Sequence, residues 1–410
     1  MAVRKLWNIN FVLVVLAQIT SLFGNAILRF ALPLYLLDIT GSAALFGVVM
    51  ATSVIPVLIL LPIGGILADR MNKRNIMVVL DFVTAGLMLA FYILDGRIDS
   101  VMLILSTMIL LNAILGAYRP TIQASIPALQ EPENLVPANA IITQVNALSD
   151  LFGPILGGVL YATWGIVPIL IVAGVSFFVS AIWEIFIKIP KVVQPAIDNV
   201  FKMIKADFAL SLRFLYTDKP ILWRLVCILA LFNLFLTSMG LVGLPIWIVQ
   251  TLDMEGQYLG FAQGLRMLGA VLGGFVLGII KDRIKVQKVY ICLLVATLSM
   301  VPIAIALMLE IPTFAAYVVI VVCQFVFMMM AIIFNVQVWA FMQGLTPATL
   351  IGKVSACVMM IGTSAQPVGL AMYGVFFDVL SGLVWIVILG ATIIALVITM
   401  SLRRALSQIK

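Results

Sequence analysis

About a dozen stretches of this chain are long enough to cross a bilayer as helix and carry almost no charge. They lie near 8–37, 42–68, 75–94, 101–126, 137–162, 166–188, 220–250, 258–280, 289–309, 312–342, 353–377 and 382–402, and are numbered here as spans 1 to 12. Crossing about 30 Å of hydrocarbon takes about 20 apolar residues in helix. Of the 410 residues, 64% are hydrophobic and 10% charged, whereas a water-soluble domain carries about 25% charged residues. Lipid must therefore be the solvent for most of the chain. Barrel strands would alternate apolar and polar with period two, and these runs are apolar on every face. The expected fold class is an all-α membrane protein of twelve transmembrane helices. The longer runs imply tilt or extension beyond the bilayer. The first exceeds the apolar core of a signal peptide and no small-residue cleavage site follows it, so it is expected to be retained.

Orientation follows from where Lys and Arg fall near the span ends. With Arg4 and Lys5 in the cytoplasm, alternate loops carry Arg70, Lys73 and Arg74; Lys188 to Lys219; Lys281, Arg283, Lys285 and Lys288; Lys353; and Arg403, Arg404 and Lys410. The opposite loops hold only Arg97, against Asp38, Asp95, Asp99, Asp253, Glu255, Glu310 and Asp378. Both termini are thus expected inside. The net charge of +7 is accounted for by this asymmetry, and a nucleic-acid partner has no support.

The chain has no His, and its four cysteines, Cys227, Cys292, Cys323 and Cys357, all sit in apolar runs without a CxxC pair. Metal sites and imidazole chemistry are not expected, and the cysteines read as small core residues. HExxH, GxSxG and paired catalytic carboxylates are missing, which argues against an enzyme. The nearest approach to a nucleotide-binding loop, "GLTPATLIGKVS", has the wrong spacing and no Ser or Thr directly after Lys353. No cofactor is expected, and the remaining energy sources are an ion gradient or the substrate's own gradient.

The longest polar break, about 189–219, has two prolines and mixed charge. Val200, Phe201, Ile204, Phe208 and Leu212 recur within it at helical spacing, predicting a surface-lying helix that links two halves. The halves echo each other. Gly65, Asp69 and Arg70 in "ILADRMNKRN" map onto Gly278, Asp282 and Arg283 in "IIKDRIKVQK", each 213 residues on (278 − 65). Pro33 and Pro245 are 212 apart, and Pro154 and Pro367 are 213 apart. Three matches at nearly one offset predict a duplicated bundle. The expected domains are a six-helix bundle over 1–188, a linker over 189–219 and a second bundle over 220–410, with a central cavity near the midplane.

Gly65, Leu67, Ala68, Asp69, Arg70, Lys73 and Arg74, in their order after span 2, resemble the signature loop of the major facilitator superfamily. Asn72 stands where a Gly is commoner, and Asn tolerates the left-handed backbone of a tight turn. "GPILGG", with Gly153, Pro154, Gly157 and Gly158, resembles the span 5 signature of the drug–proton antiporters of that superfamily. "YRPTIQASIPALQEPENLVPANA" (118–140) resembles the matching stretch of its macrolide-efflux branch. The resemblance covers the whole chain. It implies two pseudo-symmetric six-helix bundles, alternating access, and a monomer in the inner membrane of a bacterium, contributing to multidrug efflux and antibiotic resistance.

The resemblance also implies a latch in which Asp69 faces the positive N-terminal end of span 11, near Lys353. Such a contact is worth about 0.3–1 kcal/mol when exposed and up to about 2 when partly buried. Gly65 would let the backbones approach closely, with Arg70 and Arg74 holding the loop in the cytoplasm. The alternative is that the cluster only sets topology.

Embedded ionisable residues are few: Arg29, Asp81, Arg119, Asp150, Glu184 and Arg266. Each is costly in hydrocarbon and so a functional candidate. Glu184 is expected to pair with Lys188 four residues on, and Asp81 with a cytoplasmic base. Asp150 shares one stripe of span 5 with Asn146, Gly153, Pro154 and Gly157. A carboxylate removed from water can load a proton near neutral pH, so Asp150 is the first candidate for proton coupling and Asp81 the second. A structural role for Asp150, hydrogen-bonded or paired with Arg119, is the alternative. Asn25 and Arg29 share a face of span 1, and Arg266 sits among glycines in span 8. These, with Arg119, Gln144, Asn146, Asn233, Asn335, Gln337 and Trp339, are the expected cavity residues. The resulting expectation is a transporter that exports amphiphilic drug-like compounds, macrolides among them, in exchange for protons. A rival is an exporter or flippase of an anionic or lipidic compound such as a siderophore or lysolipid, favoured by the embedded arginines. A non-transporting membrane scaffold is the third reading.

Overall fold

The computed structural model describes residues 6–189, 200–280, 286–347 and 350–406. Among the described residues there are helices and turns and no strand. Twelve helical segments are long and apolar enough to cross a membrane: Ile9–Thr40, Ala43–Ala68, Lys73–Leu94, Ser100–Leu129, Pro132–Trp164, Ile166–Ile185, Pro220–Thr251, Gly256–Ile279, Tyr290–Met308, Thr313–Leu345, Ile351–Val379 and Ser381–Arg404. They follow the twelve expected runs in order.

Local chemistry sets where the spans begin and end. The side chain of Asn8 accepts from the Phe11 amide at 3.0 Å and so caps span 1, which closes at Gly41 with a positive φ of 60°. Asp99 caps span 4 through the Met102 amide at 2.9 Å. Asn72 departs from expectation. Its φ of −67° is extended rather than left-handed, and its side chain accepts from the Arg74 amide at 3.1 Å. The tight turn is thus an N-cap for span 3, which satisfies a donor that the helix start leaves free. Spans 5 and 6 are joined by Gly165 alone, at a φ of 73° that side chains rarely adopt.

Several spans are interrupted. Span 7 widens at Asn233–Thr237 and again at Ile246–Thr251, where the Leu252 amide reaches back five residues to the Trp247 carbonyl at 3.0 Å. Span 11 pauses at Ala365, one residue before the helix that opens on Gln366 and Pro367, because proline has no N–H to continue the ladder. The helix predicted in the linker is present as Val200–Arg213. Residues 190–199 of that linker, and Asp282 and Arg283 of the repeat, lie outside the described residues.

Contacts divide the chain into two compact units. The first comprises Met1–Gly41, Thr52–Pro195 and Met254–Gly264; the second comprises Ser42–Ala51, Ala196–Asp253 and Leu265–Lys410. This differs from the expected 1–188 and 220–410 halves at two segments, the opening turns of spans 2 and 8. Glycines are the physical reason. A Cβ on Gly158 would meet the Gly256 carbonyl at 2.8 Å and the Gly260 Cα at 3.1 Å, so bare backbone of spans 5 and 8 touches within the first unit. In the second, a Cβ on Gly47 would stand 2.6 Å from the Gly374 Cα of span 11. Small residues are what permit such approach between helices in lipid.

In the first unit, span 1 packs on spans 4, 5 and 6, and span 3 on spans 4 and 6. Phe11, Val14, Met77, Tyr118, Ile126, Ala138 and Ile187 belong to one buried apolar core in this unit. In the second, span 9 packs on spans 10 and 12, span 7 on spans 11 and 12, and the linker helix on the first half of span 11.

Candidate functional site

Four spans of the first unit bring polar side chains into one dry cluster. Asp81 stands eight residues past Lys73 in span 3, about 12 Å along the axis at 1.5 Å per residue. Span 4 supplies Tyr118, span 6 supplies Glu184 next to the last residue of its helix, and span 1 supplies Gln18 and Ser21. Asp81, Tyr118 and Glu184 are 2%, 4% and 0% exposed, so all three are cut off from bulk water.

Hydrogen bonds order them. The Tyr118 hydroxyl donates to Glu184 Oε1 at 2.7 Å and accepts from Gln18 Nε2 at 3.0 Å. The Ser21 hydroxyl donates to Asp81 Oδ1 at 3.3 Å. The second oxygens, Asp81 Oδ2 and Glu184 Oε2, are buried with no partner. A cavity of about 20 Å³, lined by Ser21, Asn25, Asp81, Thr84 and Tyr118 among others, adjoins Asp81. That is room for about one water.

Among the described residues neither carboxylate meets a base, which corrects two expectations. The span 6 helix ends at Ile185, so the one-turn register that would join Glu184 to Lys188 is lost; the Lys188 amide instead donates to Asn10 Oδ1 at 2.9 Å. Asp81 faces the Ser21 hydroxyl rather than a cytoplasmic cation. Two acids embedded without a counter-charge among the described residues are a costly arrangement.

The other candidates are placed differently. Asp150 and Arg119 are both exposed, as is Gln144. Arg29 lies within electrostatic reach of Arg119 and Asp150, although no ion pair joins them among the described residues. Asn25 lines the cavity beside Asp81. Asn146 turns its amide back onto the Ile142 carbonyl of its own helix at 2.8 Å. In the second unit, Asn233 donates to the Gly362 carbonyl at 3.0 Å and ties span 7 to span 11, Asn335 is exposed and Trp339 half-buried. Arg266 is 4% exposed and meets no acidic partner among the described residues.

The glycine signature of span 5 is a packing surface. Gly153 abuts Ala26, and a Cβ on Gly157 would lie 3.0 Å from the Phe30 ring, so both seat span 5 on span 1. Its proline, Pro154, presents its carbonyl to Gly260 of span 8. Near the end of span 2 the close approach is at Gly64, where a Cβ would stand 2.6 Å from the Ala117 Cα, while the space around Gly65 is open. Gly64 is thus the glycine that seats span 2 on span 4, a contact separate from the one expected of Gly65. The side chain of Asp69 lies outside the described residues. Arg70 is exposed and Arg74 half-buried with Nε unpartnered. Lys353 pairs with Asp207 of the linker helix at 2.6 Å. Sequence reasoning missed Tyr118 and Gln18, although polar groups facing inward from apolar spans are the signal that would have found them.

The model of the Major Facilitator Superfamily matches residues 14–370. Macrolide efflux protein A of Streptococcus pyogenes is 25% identical over 96% of this chain and 95% of its own length. The enterobactin exporter EntS of Salmonella choleraesuis (strain SC-B67) is 24% identical over 90% of this chain and 88% of its own. Among solved structures, an auto-inhibited POT family peptide transporter superposes with a TM-score of 0.77 at 12% identity, covering 98% of this chain and 97% of that one.

Proposed function

Since the chain belongs to the Major Facilitator Superfamily, a family of membrane transporters and not of enzymes, we propose that it exports an amphiphilic drug-like compound in exchange for protons. The Asp81–Glu184 pair carries the proton. One observation supports this above the others: two carboxylates are buried in one unit, Glu184 bonded by Tyr118 and Asp81 by Ser21, and among the described residues no base neutralises either. A charged carboxylate is expensive there, so taking up and releasing a proton changes the energy of the unit more than it would at an exposed group. Asp150 is exposed and has Arg29 within reach, which suits it to orienting a ligand more than to holding a proton out of water.

In this reading the protein is a monomer in a bacterial inner membrane with both termini in the cytoplasm. Two relatives that carry export in their names support the outward direction. The loop after span 2, with Asp69, acts as the inner latch that the family resemblance implies.

The test separates proton coupling from binding. In proteoliposomes, Asp81→Asn and Glu184→Gln should each abolish efflux driven by an imposed pH gradient while sparing counterflow driven by the substrate alone. Full gradient-driven efflux in both variants would remove the pair from the mechanism.

A further inference from the structure

Arg266 stands ten residues past Gly256 in span 8, about 15 Å along the helix. It is 4% exposed. A guanidinium stays charged in proteins and offers five N–H donors in a planar fork. Buried charges are normally paired. Here, among the described residues, no carboxylate and no hydrogen-bond acceptor meets Arg266, and its Nε is sealed from solvent without a partner.

A second unsatisfied group lies beside it. Gln324 of span 10 is fully buried, its amide N–H reaches only the Met300 sulfur at 3.9 Å, and its Oε1 has no partner. The two side chains converge over Gly240 of span 7. A methyl group on Gly240 would stand 3.8 Å from Arg266 Nη2 and 3.8 Å from both Nε2 and Oε1 of Gln324. Either end of the amide can therefore be presented there by rotation of its last torsion. Gly240 itself lies just past the widened turn at Asn233–Thr237, a kind of distortion that often marks functional positions.

We propose that Arg266 and Gln324, over the bare backbone of Gly240, form a subsite for the anionic oxygen group, carboxylate or phosphate, of an amphiphilic ligand. The fork of Arg266 matches such a group bidentately, and the Gln324 N–H adds a third donor. Among the described residues of the second unit, no acid neutralises this charge. The subsite names the substrate class of the exporter proposed above and rests on that reading for the direction of transport. The carboxylate of a soluble compound and the phosphate of a lipid headgroup share the chemistry it recognises.

The experiment is equilibrium binding to the purified full chain in neutral detergent, read by fluorescence polarisation. The probes are 5-carboxyfluorescein and rhodamine 123, which share a ring frame and differ in charge. Saturable binding of the anionic dye is expected for the wild type. Arg266→Gln should weaken it about tenfold or more, with Arg266→Lys intermediate, as expected for loss of a bidentate charge-assisted pair. Gly240→Val keeps the guanidinium but fills the space over it and should weaken the anionic dye similarly. Rhodamine 123 should respond to neither change. If Arg266→Gln does not fold, as judged by size exclusion, Gly240→Val and Gln324→Leu carry the same comparison. Displacement of the anionic dye by phosphatidylglycerol assigns the site to a lipid headgroup, and displacement by decanoate alone assigns it to a soluble amphiphile; both support it. No saturable binding of carboxyfluorescein, or wild-type affinity in both Arg266→Gln and Gly240→Val, overturns the proposal. Because binding needs no gradient, absence of proton-driven efflux in the wild type with anion binding intact would count against the exporter reading and leave this subsite standing.

Discussion

Nζ of Lys353 lies 2.6 Å from a carboxylate oxygen of Asp207, pinning the first turn of span 11 to the helix that precedes span 7. Their side chains are 41% and 34% exposed, so water and salt screen the attraction. Pairs of this kind contribute about 0.2–1 kcal/mol. Asp207→Asn should therefore lower thermal stability slightly, and by less at high salt. The reversed pair, Asp207→Lys with Lys353→Asp, should recover most of the difference in a double-mutant cycle. A stability loss that high salt leaves unchanged would show that Asp207 acts through packing instead.

Tyr118→Phe removes the hydroxyl that donates to Glu184 and leaves that oxygen buried without a donor. An orphaned buried acceptor costs about 1–3 kcal/mol. The variant should unfold at lower temperature in a thermal-shift assay. Adding Glu184→Leu to it should return part of that stability, since the second change removes the orphan.

Glycines in seemingly similar motifs should respond unequally. Gly153→Ala drives a methyl group into Ala26 and must push spans 1 and 5 apart. Overpacking of this kind costs about 1–3 kcal/mol. Gly65→Ala enters open space and should stay within about 0.5 kcal/mol of the wild type. Equal midpoints for the two variants would contradict the packing described here.

Asp150→Asn should keep gradient-driven efflux and alter the half-saturating substrate concentration, because the change removes a charge within reach of Arg29 without touching the buried pair. Loss of all efflux with normal folding would return the proton to Asp150.

Asn72→Ala deletes the side-chain acceptor at the start of span 3. Loss of such a cap typically costs about 1 kcal/mol. The shift should appear in thermal unfolding and be smaller for Asn72→Asp, which keeps the acceptor.

Span number and order were legible because hydropathy over about 20 residues is dictated by the solvent and leaves little choice. The linker helix was legible for a related reason: Phe208 and Leu212 repeat at helical spacing within a polar stretch. Partners were harder to read. Glu184 and Lys188 have ideal spacing for a pair, but only if the helix runs through both, and it stops at Ile185. On sequence grounds Asp150 ranks ahead of Asp81 because it shares a stripe with Asn146, Gly153, Pro154 and Gly157. Which way each acid turns depends on rotation about the helix axis, and the nearly uniform hydropathy of these spans hides it. Gln324 passed unnoticed because one amide in a long apolar run carries no spacing signal. Only the packing of spans 7, 8 and 10 brings it to Arg266.

The seams at Gly158 with Gly256 and Gly260, and at Gly47 with Gly374, are made of main chain lying on main chain. Interlocked leucines would have to unlatch one another before such surfaces could part. A smooth glycine joint has nothing to disentangle, and its peptide groups keep their own helical hydrogen bonds whether it is shut or open. Separation forfeits only close-range dispersion forces, each small. Helices joined in this way lie nearer to each other than any side chain would allow, so a single methyl group at one of these positions would wedge the pair apart.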